Sequence, residues 1–472
     1  MLAVVMDASD WLPVLLEYAS IHVVVYTTMF GVIAYLLMQK SYKPRSEVVL
    51  TSQEIRECLE TWKPVPLVPP VAQPEMDKLD NDSVALIEGI EGRYVTVEGE
   101  RLLNATSYDF LGYAHTEGET MDAARSSLIE YGPGSCGPRQ FYGTLDIHLK
   151  FEEEMAKFLG TPSAILYASG LATATSVIPA FSTRLDYIVC DDGAKHSIQV
   201  GNYNSRSRVR YFKHNDMGDL DQQMREVIKK MGKKKSKRFV VVEGVYQNYG
   251  DLCRLPEVVA LCKKHKFHLI VDDSFGLGTV GPNGKGTVEH YGLSMEDIDI
   301  YIADVSFSLA CLGGVCCGAT YMVNVQRLNG SGYIFSASNP PYLVASGISA
   351  LKRLGDGPAD VENLQRVARE LHAGLAKIPT AALDGAEDVP VKMLKLAPKY
   401  EPEDKVEAHR ILQQVVDAAR RRGIACSRAK FSVSQKFMPP PAIKLTANRN
   451  FTAEEVGKLV DAMAASFEEV LS

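Results

Sequence analysis

The sequence predicts an α/β protein with three parts: a large domain on a mostly parallel sheet, a smaller α+β domain, and an N-terminal transmembrane helix. From about residue 106, short apolar runs alternate with helical stretches, which is typical of a parallel sheet covered by helices on both faces. After Pro340 this alternation fades and helical patterns dominate. Residues 21–38 contain no Asp, Glu, Lys or Arg, and this length is close to the minimum for a bilayer span.

Composition places the chain among ordinary globular proteins. It has 472 residues, of which 46% are hydrophobic and 23% charged, and this is ample for a core. The net charge of −7 argues against nucleic acid as a partner. The nine cysteines have no zinc-ligand spacing, so we expect no metal site and a reducing compartment.

The first 50 residues are predicted to be a membrane segment with its span at about 21–38. Basic residues follow the span (Lys40, Lys43 and Arg45), whereas acidic residues precede it. The positive-inside rule then places the N-terminus in a lumen and the main body in the cytosol. No small-residue cleavage site follows the run, which argues against a signal peptide, and a buried helix is the other alternative.

Residues 51–105 are predicted to be a linker and an N-terminal arm. Thr51 and Glu54 form a possible capping box, so a short helix is expected over 51–61. Residues 62–70 contain four prolines in nine positions, which excludes a helix and favours an extended segment. The apolar residues between these prolines favour a strap laid over another surface.

Residues 106–350 are predicted to form the large domain. Continuous apolar runs read as buried strands, and right-handed crossovers place the loops that carry chemistry at one edge of the sheet. The expected helices include 219–230 and 256–265. The expected strands are 164–167, 187–190, 239–242, 269–271, 298–303 and 319–323.

Residues 351–472 are predicted to form the small domain. A second capping box, Thr452 with Glu455, begins a helix that runs to the C-terminus. Other helices are expected over 342–354, at the end of the large domain, and then over 361–377 and 406–421. Strands are expected over 391–396 and 442–445.

Three motifs suggest a binding site. The glycine-rich segment 132–144 allows backbone N–H groups to approach an anion or a ring, although a plain turn is the alternative. Ser169 and Gly170 follow a strand and open a helix, a geometry that suits a phosphate. Asp272 and Asp273 end another strand, where a carboxylate could face a ligand nitrogen or simply cap a helix.

Together with their order and spacing, these segments resemble the α-oxoamine synthases from about Ser107 to the C-terminus. That family has the fold type I of enzymes that depend on pyridoxal phosphate (PLP), and it condenses an amino acid with an acyl-CoA. Within it, the chain is similar to the non-catalytic long-chain-base subunit 1 group of eukaryotic serine palmitoyltransferase. The segments that carry this closer resemblance, besides the N-terminal span, are TWKPVPLVPP (61–70), YGPGSCGPRQFYGT (131–144), FKHNDM (212–217), VEGVYQNYG (242–250) and GYIFSASNPPYL (332–343).

The departures from the family pattern are as informative as the matches. The lysine that forms the Schiff base with PLP falls on Phe307, and the histidine that stacks on the cofactor ring falls on Lys195. The histidine near the cofactor's phenolic oxygen falls on Phe275, while Asp272 still matches the carboxylate at the pyridine nitrogen. The arginine that grips the substrate carboxylate falls on Lys444, which keeps the charge but loses the bidentate fork. The resemblance therefore implies no catalytic residue in this chain and only a vestigial role for Asp272.

In the family, active sites lie at a dimer interface, where each subunit completes the other's pocket. The resemblance implies that Ser336, Ala337 and Ser338 reach the PLP phosphate of a partner, and that Cys136 and Tyr167 lie near the partner's substrate pocket. The two serines could alternatively cap the helix that follows. The implied partners are the catalytic PLP-bearing subunit 2, a small activating subunit, ORM-type regulatory membrane proteins, acyl-CoA and L-serine, all at the endoplasmic reticulum membrane.

Three functional hypotheses follow. The first is a membrane-anchored, catalytically silent subunit that completes the PLP site of a homologue. The second is an autonomous PLP-dependent α-oxoamine synthase that uses a displaced lysine, for which Lys195 is the nearest candidate. The third is a structural or regulatory membrane scaffold without any role in a pocket.

Overall fold

The chain divides into two units, Met1–Ala72 and Gln73–Ser472, which are described separately. A computed structural model describes residues 8–38, 50–64, 78, 84–114, 117–232, 235–432 and 434–472.

The first unit contains two helices, α1 (Ala8–Met38) and α2 (Ser52–Thr61). Within α1, the stretch Glu17–Met38 is long and apolar enough to cross a membrane, and no other helix among the described residues meets both criteria. Glu54 caps α2 by accepting a hydrogen bond from the Thr51 N–H at 2.7 Å, so the capping box is confirmed. Most of the predicted proline-rich strap, residues 65–70, lies outside the described residues.

The second unit contains three β-sheets and the remaining helices. Its described strands are β1 (Ile87–Glu91), β2 (Tyr94–Val97), β3 (Glu100–Asn104), β4 (Ser163–Tyr167), β5 (Tyr187–Asp191), β6 (Arg208–Phe212), β7 (Arg238–Glu243), β8 (His268–Asp272), β9 (Ile300–Asp304), β10 (Gly314–Gly318), β11 (Ala381–Asp384), β12 (Val391–Leu396), β13 (Ile424–Ala425), β14 (Ser427–Arg428) and β15 (Ile443–Thr446).

Helices pack around these sheets and connect most of their strands. They are α3 (Glu119–Tyr131), α4 (Asp146–Leu159), α5 (Gly170–Phe181), α6 (His196–Ser205), α7 (Met217–Met231), α8 (Leu255–His265), α9 (Thr287–His290), α10 (Thr320–Asn329), α11 (Ser331–Ile334), α12 (Pro341–Gly355), α13 (Ala359–Leu375), α14 (Lys405–Arg421) and α15 (Ala453–Leu471).

The largest sheet has seven strands in the order β4-β10-β9-β8-β7-β5-β6. β10 pairs antiparallel with both of its neighbours, while β9, β8, β7, β5 and β6 are mutually parallel. Central strands such as β5 and β7 are buried over nearly their full length, which explains their continuous apolar sequence. The mostly parallel sheet predicted from the sequence is therefore confirmed.

Two strands of this sheet differ from the prediction. Residues 319–323 were expected to form a strand, but the strand is β10, and helix α10 begins at Thr320. Periodicity cannot separate a short buried strand from the start of a helix when both are apolar. Strand β6 was not predicted because it lies at the sheet edge, where its sequence alternates basic and apolar residues.

The C-terminal region follows the predicted order of elements. Helices α12, α13 and α14 and strands β12 and β15 lie within two residues of the expected bounds, and β11-β12-β15-β14 form an antiparallel sheet. The capping box of α15 is confirmed, since Thr452 and Glu455 bond reciprocally. The proposed boundary between a large and a small domain, after residue 350, falls inside α12 and stays a prediction.

The segment expected to be only a linker and arm contains regular structure. Strands β1, β2 and β3 form a meander, and β3 pairs in parallel with β13 near the other end of the chain. Arg93 donates a hydrogen bond to Glu455 at 2.7 Å, and the hydroxyl of Tyr94 donates to the same carboxylate. The meander is therefore attached to α15 through one buried carboxylate.

We expect the substitution Glu455→Gln to lower the free energy of unfolding by about 1–3 kcal/mol, because charge-assisted hydrogen bonds to Arg93 and Tyr94 are lost. Burial raises the pKa of Glu455, but hydrogen bonds from Thr452, Tyr94 and Arg93 lower it to about 2. This contribution is present above the carboxyl pKa of the unfolded chain, about 4.3, and is lost as pH falls through 2. Thermal unfolding at pH 7 and at pH 3 measures it.

The matched control is Glu454→Gln, since the neighbouring Glu454 is exposed. An equal shift in the unfolding temperature for both variants would contradict the attachment.

Candidate functional site

Acidic side chains collect at one edge of the seven-stranded sheet. Each of the parallel strands β5, β7, β8 and β9 ends in an acid, and these are Asp191, Glu243, Asp272 and Asp304. The carboxyl ends of parallel strands meet at the same edge, where open α/β sheets bind ligands. Three of these acids, Glu243, Asp272 and Asp304, surround the side chain or backbone of Lys195.

Lys195 forms a buried ion pair with Asp272. Its Nζ lies 2.7 Å from Asp272 Oδ1 and 2.8 Å from the hydroxyl oxygen of Ser274. The Ser274 hydroxyl donates to the same Asp272 oxygen at 2.5 Å and accepts from the backbone N–H of Asp304 at 2.9 Å. The Lys195 residue is only 7% exposed and Asp272 2%. One network therefore joins the loop after β5 to the ends of β8 and β9.

The protonation of this network follows from burial and charge. Burial lowers the pKa of Lys195, but the neighbouring Asp272 carboxylate outweighs it, so the net pKa is raised above the ordinary lysine value. Burial raises the pKa of Glu243 to about 8, although it accepts a hydrogen bond from the backbone N–H of Lys195 at 2.7 Å. At neutral pH the Lys195 amine is therefore a charged ammonium and not a nucleophile.

Aromatic side chains occupy the position next to this network. The ring of Phe307 stacks on that of Phe275, with 4.8 Å between centroids and 24° between planes. The ring of Tyr108 packs edge-on against both, at 5.0 Å and 5.1 Å. The Tyr108 hydroxyl accepts a hydrogen bond from Lys444 Nζ at 2.8 Å. Phe307, Phe275 and Lys444, three positions of departure from the family pattern, thus meet around Tyr108.

The carboxylate of Asp304 lies at the N-terminus of helix α5. A Cβ atom added to Gly170, the first residue of α5, would overlap this carboxylate, so a larger residue there would displace the Asp304 side chain. Asp304 also accepts hydrogen bonds from the backbone and hydroxyl of Ser306, at 2.9 Å and 2.5 Å. Burial raises its pKa above the ordinary aspartate value. The helix start that the sequence marked as a phosphate site already faces an anion of the chain itself.

We call Lys195, Asp272, Phe275, Asp304 and Phe307 the cradle. Three of these residues, Lys195, Asp304 and Phe307, border a cavity of about 250 Å³. PLP, the cofactor that the resemblance implies, does not fit the cradle in the family's manner: position 307 has no amine, Asp272 is paired with an ammonium, and a carboxylate lies at the helix start. No chemical step is therefore assigned to the cradle.

A second group of predicted site residues lies on two loops that pack against each other. We call residues 132–144 and 335–339 the loop pair. Ala337 forms a β-bridge with Pro138, and the Ser338 N–H donates to the Gly137 carbonyl at 2.9 Å. The Ser338 side chain is buried, and its hydroxyl lies 2.6 Å from the Gly143 carbonyl oxygen. Ser338 thus anchors the loop pair.

Other residues of the loop pair face outward. Ala337 is exposed and Ser336 is half-buried, with its hydroxyl donating to the Gly332 carbonyl. Cys136 is exposed and has a φ of 55°, a left-handed conformation that is uncommon outside glycine. Tyr142 and Phe335 are also exposed, at 103% and 80%. The loop pair therefore presents apolar surface of the kind that marks a protein interface.

Tyr167, the remaining predicted site residue, is fully buried. Its hydroxyl donates to Gln326 at 3.0 Å, and its ring packs edge-on against Tyr333. Its carbonyl accepts from the side chain of Asn339 at 3.3 Å. Tyr167 thus supports the 335–339 loop from beneath and does not line the surface itself.

Sequence reasoning did not find Tyr108, Ser274 or Asp304. A signal was available for Asp304, because it ends an apolar strand at the edge where ligands bind. No local signal marked Tyr108, which enters the site only through tertiary packing.

We expect Lys195→Met to lower the free energy of unfolding by about 3–5 kcal/mol, because Asp272 remains as a buried charge without its counter-ion. The double variant Lys195→Met/Asp272→Asn is expected to recover most of this loss. Thermal unfolding of the full-length chain in detergent measures both. Lys213→Met, which removes an exposed lysine, is the control. A loss as large in the double variant as in the single one would contradict the ion-pair explanation.

Comparison with known proteins identifies the family of this chain. The family model for aminotransferase class I and II matches residues 101–463. Serine palmitoyltransferase 1 of Dictyostelium discoideum is 37% identical over 91% of this chain and 90% of that protein. Long chain base biosynthesis protein 1 of Arabidopsis thaliana is 35% identical over 98% of this chain and 97% of that protein.

Solved structures show the same fold. A variant of serine palmitoyltransferase from S. paucimobilis with a bound PLP–myriocin aldimine superposes with a TM-score of 0.76 at 24% identity, over 84% of this chain and 96% of that chain. Sphingomonas wittichii serine palmitoyltransferase gives 0.74 at 23% identity, over the same shares. The fold is that of PLP-dependent fold type I enzymes, as the resemblance implied. The chain therefore belongs to the class I and II aminotransferase family, in the group of serine palmitoyltransferase 1 and long chain base biosynthesis protein 1.

Proposed function

We propose that this chain is the catalytically silent, membrane-anchoring subunit of a serine palmitoyltransferase heterodimer. The heterodimer condenses L-serine with a long-chain acyl-CoA to 3-ketosphinganine and releases CO2 and CoA, the first step of sphingolipid biosynthesis. The observation that carries this proposal is the cradle, in which Phe307 stands where a lysine is needed and Lys195 is paired with Asp272. The names of the relatives support the reaction.

In this proposal, the loop pair completes the PLP site of the catalytic subunit, which binds the cofactor. Ser336 and Ala337 are accessible enough to reach the partner's PLP phosphate, and Ser338 holds them in position. Cys136 lies on the outward face, near the partner's substrate. Tyr167 acts as a positioning residue beneath the same loop. The exposed apolar side chains of the loop pair would be buried by the partner.

The helix Glu17–Met38 would anchor the heterodimer in the endoplasmic reticulum membrane as a single pass, with the main body in the cytosol. The basic residues after this helix favour that orientation. A small activating subunit and ORM-type regulatory proteins are further proposed partners in the membrane. An N-glycosylation acceptor added before residue 8 would then be modified, and one added after Ser472 would not.

The alternative is an autonomous PLP-dependent synthase that uses Lys195 as a displaced lysine. The geometry disfavours it, because Lys195 Nζ donates to Asp272 and Ser274 and the pKa of its ammonium is raised. A Schiff-base lysine needs a neutral amine. The third hypothesis, a scaffold without any role in a pocket, predicts that the substitution Cys136→Trp leaves turnover unchanged.

We expect borohydride reduction of the chain co-expressed with its catalytic homologue to give a pyridoxyl-lysine peptide from the homologue and none from this chain. Turnover of L-serine and palmitoyl-CoA is expected only in the co-expressed sample. Peptide mapping by mass spectrometry and product formation measure the two outcomes. Robust turnover by this chain alone would contradict the proposal that it is a silent subunit.

We expect Cys136→Trp to leave assembly and membrane location unchanged but to lower kcat/KM for L-serine at least about tenfold, because an indole on the outward face would intrude on the partner's pocket. A tenfold loss corresponds to about 1.4 kcal/mol of transition-state binding. The control is Cys58→Trp, at an exposed position on α2. Normal kinetics for both variants would favour the scaffold hypothesis.

A further inference from the structure

We propose that the cradle is occupied by the chain's own charges. The Lys195 ammonium takes the place of the cofactor's pyridinium N–H on Asp272, and the Asp304 carboxylate takes the place of its phosphate at the start of α5. A consequence is that restoring a lysine at position 307 does not by itself restore a PLP site.

At the pyridinium end of the cradle, where the family places the cofactor's ring nitrogen, the Lys195 side chain takes its place. Like the protonated ring nitrogen, the ammonium is positively charged and donates a hydrogen bond. The family places a protonated ring nitrogen opposite the carboxylate that aligns with Asp272. Here Lys195 Nζ lies 2.7 Å from that carboxylate and is buried with it. Ser274 holds both members, since it accepts from Lys195 and donates to Asp272. A ring nitrogen could enter only by displacing the ammonium, which would then be buried without its partner.

At the phosphate end of the cradle, which is the start of α5, the anion is the carboxylate of Asp304. The first turn of α5 presents the positive end of the helix dipole, and the Ser169 hydroxyl caps it by accepting a hydrogen bond from the Ala172 N–H. Asp304 lies directly against Gly170 at this turn, and Ser306 holds the carboxylate there through two hydrogen bonds. A phosphate in the same place would meet a like charge that is already satisfied. The charge at this end therefore excludes phosphate independently of the pyridinium end.

Aromatic rings lie beside the two ends, and Phe307 borders the same cavity as Lys195 and Asp304. Phe307 and Phe275 stack in parallel planes, and Tyr108 closes their edge. The cradle thus contains a cation, a ring pair and an anion. The cation is paired with Asp272 and the anion accepts hydrogen bonds from Ser306, so neither charge requires a cofactor.

The experiment compares full-length variants incubated with PLP and then reduced with borohydride. An introduced lysine amine condenses with the PLP aldehyde and releases water. Hydride addition to the imine carbon then leaves a stable secondary amine. The labelled peptide is identified by mass, so any cofactor on a co-purifying protein is distinguished, and the result does not depend on the proposed heterodimer.

We expect Phe307→Lys alone to give little label at position 307. The triple variant Phe307→Lys/Lys195→His/Asp304→Ser is expected to give at least tenfold more. Replacing Lys195→His by Lys195→Arg in the triple variant keeps the cation and serves as the matched control, with no more label than Phe307→Lys/Asp304→Ser gives. Thermal unfolding confirms that each variant is folded.

The double variant Phe307→Lys/Asp304→Ser keeps the buried ion pair and therefore remains informative if the triple variant does not fold. We expect it to gain severalfold in label over Phe307→Lys. Label in the single variant within twofold of the double and triple variants would overturn the proposal. A folded triple variant that takes no label, or a double variant with no gain, would overturn it as well.

Discussion

The buried ion pair between Lys195 and Asp272 is the interaction on which the candidate site depends. It connects the loop after β5 to the end of β8, and Ser274 extends the connection to the backbone of β9. A buried pair contributes little net stability compared with apolar groups of the same size, but either member alone would be a strongly unfavourable buried charge. The two residues are therefore constrained to occur together, and we propose that they fill the position where the family binds a cofactor.

The candidate site has two distinct parts. In the cradle, buried side chains pair with one another, as Lys195 does with Asp272 and Phe307 with Phe275. The loop pair faces outward, with Cys136 in a left-handed backbone conformation and with exposed aromatic rings beside it. The loop 335–339 rests on the end of β4, because the Asn339 side chain donates a hydrogen bond to the Tyr167 carbonyl. The proposed loss of chemistry in the cradle is therefore compatible with an intact outward surface.

The family of this chain and the state of its cradle are known from different observations. Relatives at 35–37% identity over nearly the whole chain show the group to which the chain belongs. Structural neighbours at 23–24% identity show the fold. Neither comparison says what the cradle does. That conclusion comes from the contacts of Lys195, Asp304 and Phe307, which are properties of this chain.

The sequence by itself determined the parallel sheet, the apolar N-terminal helix and two capping boxes, because each depends on local periodicity or on residues three positions apart. It also located Phe307, Lys195 and Asp272 as positions of interest. It did not predict β6 or the pairing of β3 with β13, since edge strands and long-range pairing leave only a weak local signal. It also missed β10, because a short buried strand and an apolar helix start look alike in sequence.

Tertiary structure alone decided which charges meet. Lys195 and Asp272 are 77 residues apart in the sequence. Asp304 and Gly170, which lie against each other, are separated by even more residues. Only the convergence of strand ends at one edge of the sheet brings them together, and burial at that edge then makes each charge require a partner.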